Sequence, residues 1–161
     1  MPIKYNETVM FGRSGSAKTM NCEGIDFSED GFESWTAAPL AEMQIQLPLA
    51  RQDVVLEIQA APFVIREKLP AQNVFVYLGG FFIGYHVMAA PAVRQCTISR
   101  AFISGRPMRL ALVIPTAVSP SSLGMGDDLR ELGLRLRTMV LMDKGSLPAL
   151  DPAHEIVRDR S

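Results

Sequence analysis

Apolar and polar residues alternate along most of this chain with a period of two. Met43, Ile45 and Leu47 alternate with Glu42, Gln44 and Gln46 until Pro48 ends the run. Val54, Leu56 and Ile58 alternate with Val55, Glu57 and Gln59 ahead of Pro62. Val74, Val76 and Leu78 stand against Phe75 and Tyr77, and Cys96 and Ile98 against Thr97 and Ser99. Met108, Leu110, Leu112 and Ile114 alternate with Arg109, Ala111 and Val113, and Leu132, Leu134 and Leu136 with Gly133, Arg135 and Arg137. Successive side chains of a strand point to opposite faces, so each run predicts a strand with one face in a core. Gly79-Gly80 separates two apolar runs, Val74–Leu78 and Phe81–Val87. Two residues tolerant of positive φ between strands predict a hairpin with a primed turn.

The same pattern argues against helices. No segment of ten or more residues carries a 3.6-residue period, and the best candidate is one turn over Asp127–Leu132, closed by Gly133. Its two aspartates would sit at the favourable N-terminal end of such a turn. Seven or eight short strands punctuated by Pro, Gly and Ser predict an all-β fold, an antiparallel two-layer β-sandwich of jelly-roll or galactose-binding-like form. We read residues 1–142 as one sandwich domain and 143–161, with Pro148 and Pro152, as an appended polar tail.

Composition narrows the function classes. Sixteen basic and seventeen acidic residues leave a net charge of −1, and they are dispersed apart from Arg158 and Arg160. That balance supplies no field for nucleic acid. No apolar run reaches the roughly 20 residues of a membrane span. The start, Met1-Pro2-Ile3-Lys4, has neither the basic nor the apolar region of a secretory signal, so the expected location is cytoplasmic. Cys22 and Cys96 make no metal motif or disulfide framework and read as small buried apolar residues.

Two segments resemble a family. Gly24-Ile25-Asp26-Phe27-Ser28-Glu29-Asp30-Gly31-Phe32-Glu33-Ser34-Trp35-Thr36, followed by Ala41–Ile45, is similar to the opening of small β-sandwich modules that accompany bacterial glycosyltransferases and surface-polysaccharide loci. Pro115 to Leu136, with its Ser119-Pro120, Leu123-Gly124, Asp128, Arg130 and Leu132-Gly133, resembles their closing motif. Gln72–Gly80 sits where such modules carry a hairpin strand, with Gly79 in place of the usual Asn, and Ile25-Asp26-Phe27 stands where they usually have a Trp. The resemblance implies a non-catalytic accessory module in glycan assembly, whose partners are a carbohydrate or a glycan-assembly enzyme.

Within this frame Trp35, the one tryptophan, has two readings. Sugar C–H faces could stack on its ring while Glu29, Asp30 and Glu33 accept hydroxyl protons, with Tyr85 and His86 as secondary contacts. Alternatively it caps one end of the core. Asp127, Asp128 and Arg130 are expected to form a carboxylate–guanidinium clamp that pins the loop rather than a catalytic set, because nothing places a second acid across a cleft. Calcium is the one metal the acidic loop could take, through Asp26, Glu29 and Asp30 near Gly24 and Gly31, although the spacing is no EF-hand. Zinc has no support, since His86 and His154 are far apart and lack a Cys pair. Gly12–Thr19 ends like a P-loop but lacks the Gly spacing and a βαβ context. Tyr77, Phe81, Phe82 and Tyr85 put rings on the hairpin, one face of which must be core; the other is open to a glycan, a docking partner or a second copy of the chain.

Overall fold

A computed structural model describes residues 2–143; of the tail expected over 143–161, Asp143 ends the last strand and residues 144–161 lie outside the described residues. Ten strands form two antiparallel sheets: β1 (Thr8–Met10), β2 (Ile25–Asp26), β3 (Ser34–Thr36), β4 (Leu40–Gln46), β5 (Val54–Pro62), β6 (Gln72–Leu78), β7 (Phe81–Met88), β8 (Ala92–Ile98), β9 (Pro107–Val113) and β10 (Leu134–Asp143). The first sheet runs β2-β3-β10-β5-β8, with β1 also paired to β10, and the second runs β4-β9-β6-β7. This is the two-layer all-β sandwich that the alternation predicts.

The core lies between the sheets and is built from the apolar parity of each run. Met43, Ile45, Leu47, Leu56, Val76, Leu78, Leu110, Leu112, Leu134 and Leu136 are all buried. Gly79 and Gly80 have φ of 57° and 85°, so the β6–β7 hairpin has the primed turn expected, a conformation that glycine adopts without strain. Gln72 is fully buried yet satisfied: its Nε2 donates to the Phe63 carbonyl at 2.7 Å and its Oε1 accepts from Thr116 Oγ1 at 2.6 Å. That network ties β6 to the start of the long loop after β9.

The structure corrects the sequence reading in two places. The helical turn expected over Asp127–Leu132 is absent, and a 3₁₀ turn forms instead at Ser121–Leu123, closed by Gly124 at φ 72°. Asp128 is taken by a local turn in which its Oδ1 accepts the Arg130 backbone N–H at 3.0 Å, a competitor to helix. The strand count rises to ten because β1, β2 and β3 are two or three residues long, too short to show a period.

Candidate functional site

Two regions carry the candidate chemistry, on opposite faces of the sandwich. The first surrounds Arg130. Gly24, at φ +75°, lets the chain pass β4 so closely that a Cβ there would lie 2.2 Å from the Leu40 carbonyl oxygen. This approach positions β2 and the acidic loop after it beside the long loop. Arg130 then gathers carboxylates from three segments: Nη2 to Asp128 Oδ2 at 2.7 Å, Nη1 to Glu29 Oε2 at 2.7 Å and Nη1 to Asp26 Oδ2 at 2.9 Å. Hydrogen bonds from Ser28, with Arg130 adding to them, hold the Asp26 carboxyl below its usual pKa. Arg130 itself does the same for Asp128, and in return the carboxylates push the guanidinium pKa further up. Of the three residues expected in a clamp, Asp128 and Arg130 are paired, and the same guanidinium also reaches Asp26 and Glu29. Asp127 is exposed and has no ion-pair partner among the described residues.

The other acidic residues are also committed. Asp30 pairs with Arg13, and Glu33 with Arg135 Nε at 3.1 Å and Arg137 Nη1 at 3.7 Å. Trp35 lies on the outer side of β3, directly across from Asp26 and Arg135. The Arg135 guanidinium sits 5.7 Å above its ring centroid, and Phe63 meets the ring edge-on at 6.0 Å. The set Trp35, Glu29, Asp30 and Glu33 thus clusters at one end of the first sheet, but each member already has a protein partner. The donor set does not fit calcium either. A guanidinium lies among Asp26 and Glu29, Asp30 turns to Arg13, and no group of three or more His, Cys, Asp or Glu among the described residues is arranged to hold a metal.

The second region is the outer face of the second sheet. Strand register aligns its outward residues in rows. One row runs Glu42, Ala111, Tyr77, Phe82, and the next runs Leu40, Val113, Phe75, Tyr85. Phe75 and Tyr85 rings lie 4.7 Å apart and Tyr77 and Phe82 rings 5.7 Å apart. Tyr85 and Phe82 remain 46% and 55% exposed, beside small residues in β9 that leave the platform open. Arg109 borders it, neutralised by Glu42 at 3.0 Å, and the Tyr85 hydroxyl donates to Asn73 Oδ1 at 3.2 Å. The other sequence candidate on this hairpin, His86, points the opposite way. Its Nε2 is 3.3 Å from Cys96 Sγ between the sheets, where burial, and then Arg94, lowers its pKa. Burial also pushes the Cys96 thiol up to about 11, so this pair is no reactive couple at neutral pH.

Phe75 is the ring that sequence reasoning left out of the site, and Phe82 and Tyr77 were not separated from the core. Tyr85 and Phe82 differ by an odd number, which in a regular strand puts them on opposite faces. A β-bulge opposite Val76 and Tyr77 pairs Gly84 and then Phe82 with consecutive β6 residues, which brings both rings to the same side. The parity of β6 already gives Phe75 and Tyr77; the bulge has no sequence signal beyond Gly84.

These features define an antiparallel jelly-roll sandwich with an exposed aromatic sheet face. No protein-family model matches the chain, and no curated protein does. Solved structures do. The chain is similar to the CBM36-1 domain of a multidomain xylanase from the hindgut metagenome of Trinervitermes trinervoides, with 9% identity and a TM-score of 0.52 over 89% of this chain and 98% of that one. It is also similar to part of a family GH115 4-O-methyl-α-glucuronidase with specificity for decorated arabinogalactans, at 12% identity and a TM-score of 0.51 over 89% of this chain and 18% of the enzyme. At such identities the likeness establishes the fold.

Proposed function

We propose that this domain is a non-catalytic carbohydrate-recognition module, and that the sugar stacks on the Phe75, Tyr77, Phe82 and Tyr85 platform. The observation that carries this reading is four rings in two adjacent rows of one sheet face, with Phe82 and Tyr85 exposed over the half-buried Phe75 and Tyr77 and flanked by hydrogen-bonding groups such as Asn73. Aromatic faces bind the C–H faces of pyranose rings, while a few placed polar groups fix orientation. The fold shared with a domain of a xylanase supports the reading, and the paired opening and closing motifs support a setting in bacterial surface-glycan assembly, beside a cytoplasmic glycan-assembly enzyme. The test is calorimetric titration of the protein with polysaccharide fragments, wild type against Phe82→Ala. Saturable heat that Phe82→Ala abolishes supports the platform; heat unchanged by the variant removes it. Fluorescence of Trp35 is a poor reporter, because that ring lies on the opposite face of the sandwich.

One observation favours a second reading, a docking or oligomerisation module. β7 is an edge strand of the second sheet, Phe81–Met88 contains no Asp, Glu, Lys or Arg, and Phe81 and Phe82 are exposed. Uncharged edges of this kind are templates for pairing with another chain. Light scattering across a concentration series separates the two: a constant monomer mass that still binds glycan leaves recognition alone standing.

A further inference from the structure

Away from the ring platform, a cleft of about 510 Å3 opens where the N-terminal segment and the 3₁₀ turn at Ser16–Thr19 approach the last residues of β4. Its size is that of a small-molecule site. Both walls are fixed to β4 by the backbone: Ile3 N–H donates to the Gln46 carbonyl at 2.9 Å, and Gln44 N–H to the Met20 carbonyl at 2.8 Å. The cleft is therefore held in shape without a ligand. Asn21 has φ 54°, and its Nδ2 donates to Gln44 Oε1 at 3.3 Å. That bond leaves Asn21 Oδ1 as an acceptor and Gln44 Nε2 as a donor, both without a side-chain partner among the described residues. Gln46 uses its Nε2 on the Gly105 carbonyl at 2.9 Å and keeps Oε1 as a further acceptor.

The geometry points to this cleft as a second binding site, for a neutral polyhydroxylated ligand such as the end of an oligosaccharide. A donor beside an acceptor suits adjacent hydroxyls, each of which gives and takes a hydrogen bond. Among the described residues the charges lining the cleft, Lys4 and Glu7, are of opposite sign, which favours neither phosphate nor a polycation. Among the described residues no aromatic ring lines it, so recognition there runs through hydrogen bonds, over walls backed by the buried Ile3, Val9 and Ile45. The site stands independently of the stacking platform. On that sheet two strand spacings, roughly 10 Å, separate β4 from β6, which carries Phe75 and Tyr77, and three, roughly 14 Å, separate it from β7.

The test is a heteronuclear NMR titration of the full chain with cellotriose, xylotriose and N-acetylchitotriose, and separately with trialanine. Saturable shifts of the Asn21 and Gln44 side-chain amide signals with one of the sugars are expected. Gln44→Ala, an exposed position whose spectrum reports its own folding, should weaken that binding about tenfold while Tyr85→Ala leaves it unchanged. Shifts confined to Phe75, Tyr77, Phe82 and Tyr85 would overturn the cleft and leave the platform standing. Shifts confined to the cleft would support it and remove the platform. No shifts with any sugar, or cleft shifts with trialanine alone, would overturn the saccharide assignment.

Discussion

Arg130 and Tyr85 stand on opposite faces of one sandwich and differ in what their functional groups have left to give. Around Arg130, three carboxylates from β2, the acidic loop and the long loop converge on a single guanidinium, and the neighbouring Trp35, Glu33 and Asp30 are engaged by Arg135, Arg137 and Arg13. Chemistry there is turned inward and holds loops together. Around Tyr85, rings touch one another while Phe82 and Tyr85 leave about half their area to solvent, and the adjoining Arg109 is taken up by Glu42 and Glu23. A cluster of suggestive side chains is a candidate site only to the extent that its groups lack partners inside the protein. By that measure the aromatic face is the better site, although the acidic loop is the louder signal in sequence.

The comparison breaks most sharply at Trp35. Trp35→Ala should cost about 3 kcal/mol of stability, because a large partly buried ring loses its contacts with Phe63 and Arg135. Glycan affinity measured in native conditions should be unchanged. A folded Trp35→Ala protein that has lost glycan binding would reverse the roles of the two faces. Arg130→Met comes next, at about 2 kcal/mol by urea denaturation, since three charge-assisted contacts are lost and the remaining carboxylates repel one another.

Acid should separate the two variants further. Asp26 and Asp128 have folded pKa values below the ordinary 3.8, so the unfolded chain takes up their protons first as pH falls. Their contribution is complete above that value and is lost as pH drops through the lower folded ones. Urea midpoints of wild type should therefore fall below about pH 4. In Arg130→Met the part due to Asp128 should shrink to what the backbone N–H of residue 130 supplies, because the guanidinium is its largest cause, whereas Asp26 should keep the part due to its Ser28 hydrogen bonds. Carboxylate titration by NMR distinguishes them; an unshifted response at both aspartates in the wild type would sink the account.

How much of this was legible beforehand depends on parity. Strands β4, β5, β6, β9 and the first half of β10 follow from alternation, because burial on one face imposes a period of two, and β7 follows from Gly79-Gly80. Strand β8 was expected at Cys96–Arg100 but runs Ala92–Ile98, with Arg100 opening a 3₁₀ turn. The short strands β1 to β3 do not follow from alternation, since their place is set by pairing with β10 and with each other rather than by their own pattern. Two bulges hid the rest. The one near Leu136 and Thr138 puts Met139 and Leu141 in the core on the opposite parity from Leu134 and Leu136. The other, in β7, gathers Phe82 and Tyr85 on one face. The Asp128–Arg130 contact was readable from spacing, but Asp26 and Glu29 lie about a hundred residues away, and only the fold brings them in.

The smallest effects sharpen the assignment of the platform itself. Tyr85→Ala removes a ring that covers Phe75 at 4.7 Å and is about half exposed, so the fold should be little affected while glycan affinity falls about tenfold, the equivalent of about 1.4 kcal/mol. Tyr85→Phe keeps the stacking surface and deletes only the hydroxyl that donates to Asn73 Oδ1 at 3.2 Å. Because that bond is exposed and water can replace it, affinity should change by no more than about twofold. Calorimetry on the pair divides stacking from hydrogen bonding. A Phe variant as weak as the Ala variant would mean that the Tyr85 hydroxyl touches the sugar directly, and the role of the face would shift from a stacking surface toward one that reads hydroxyl positions.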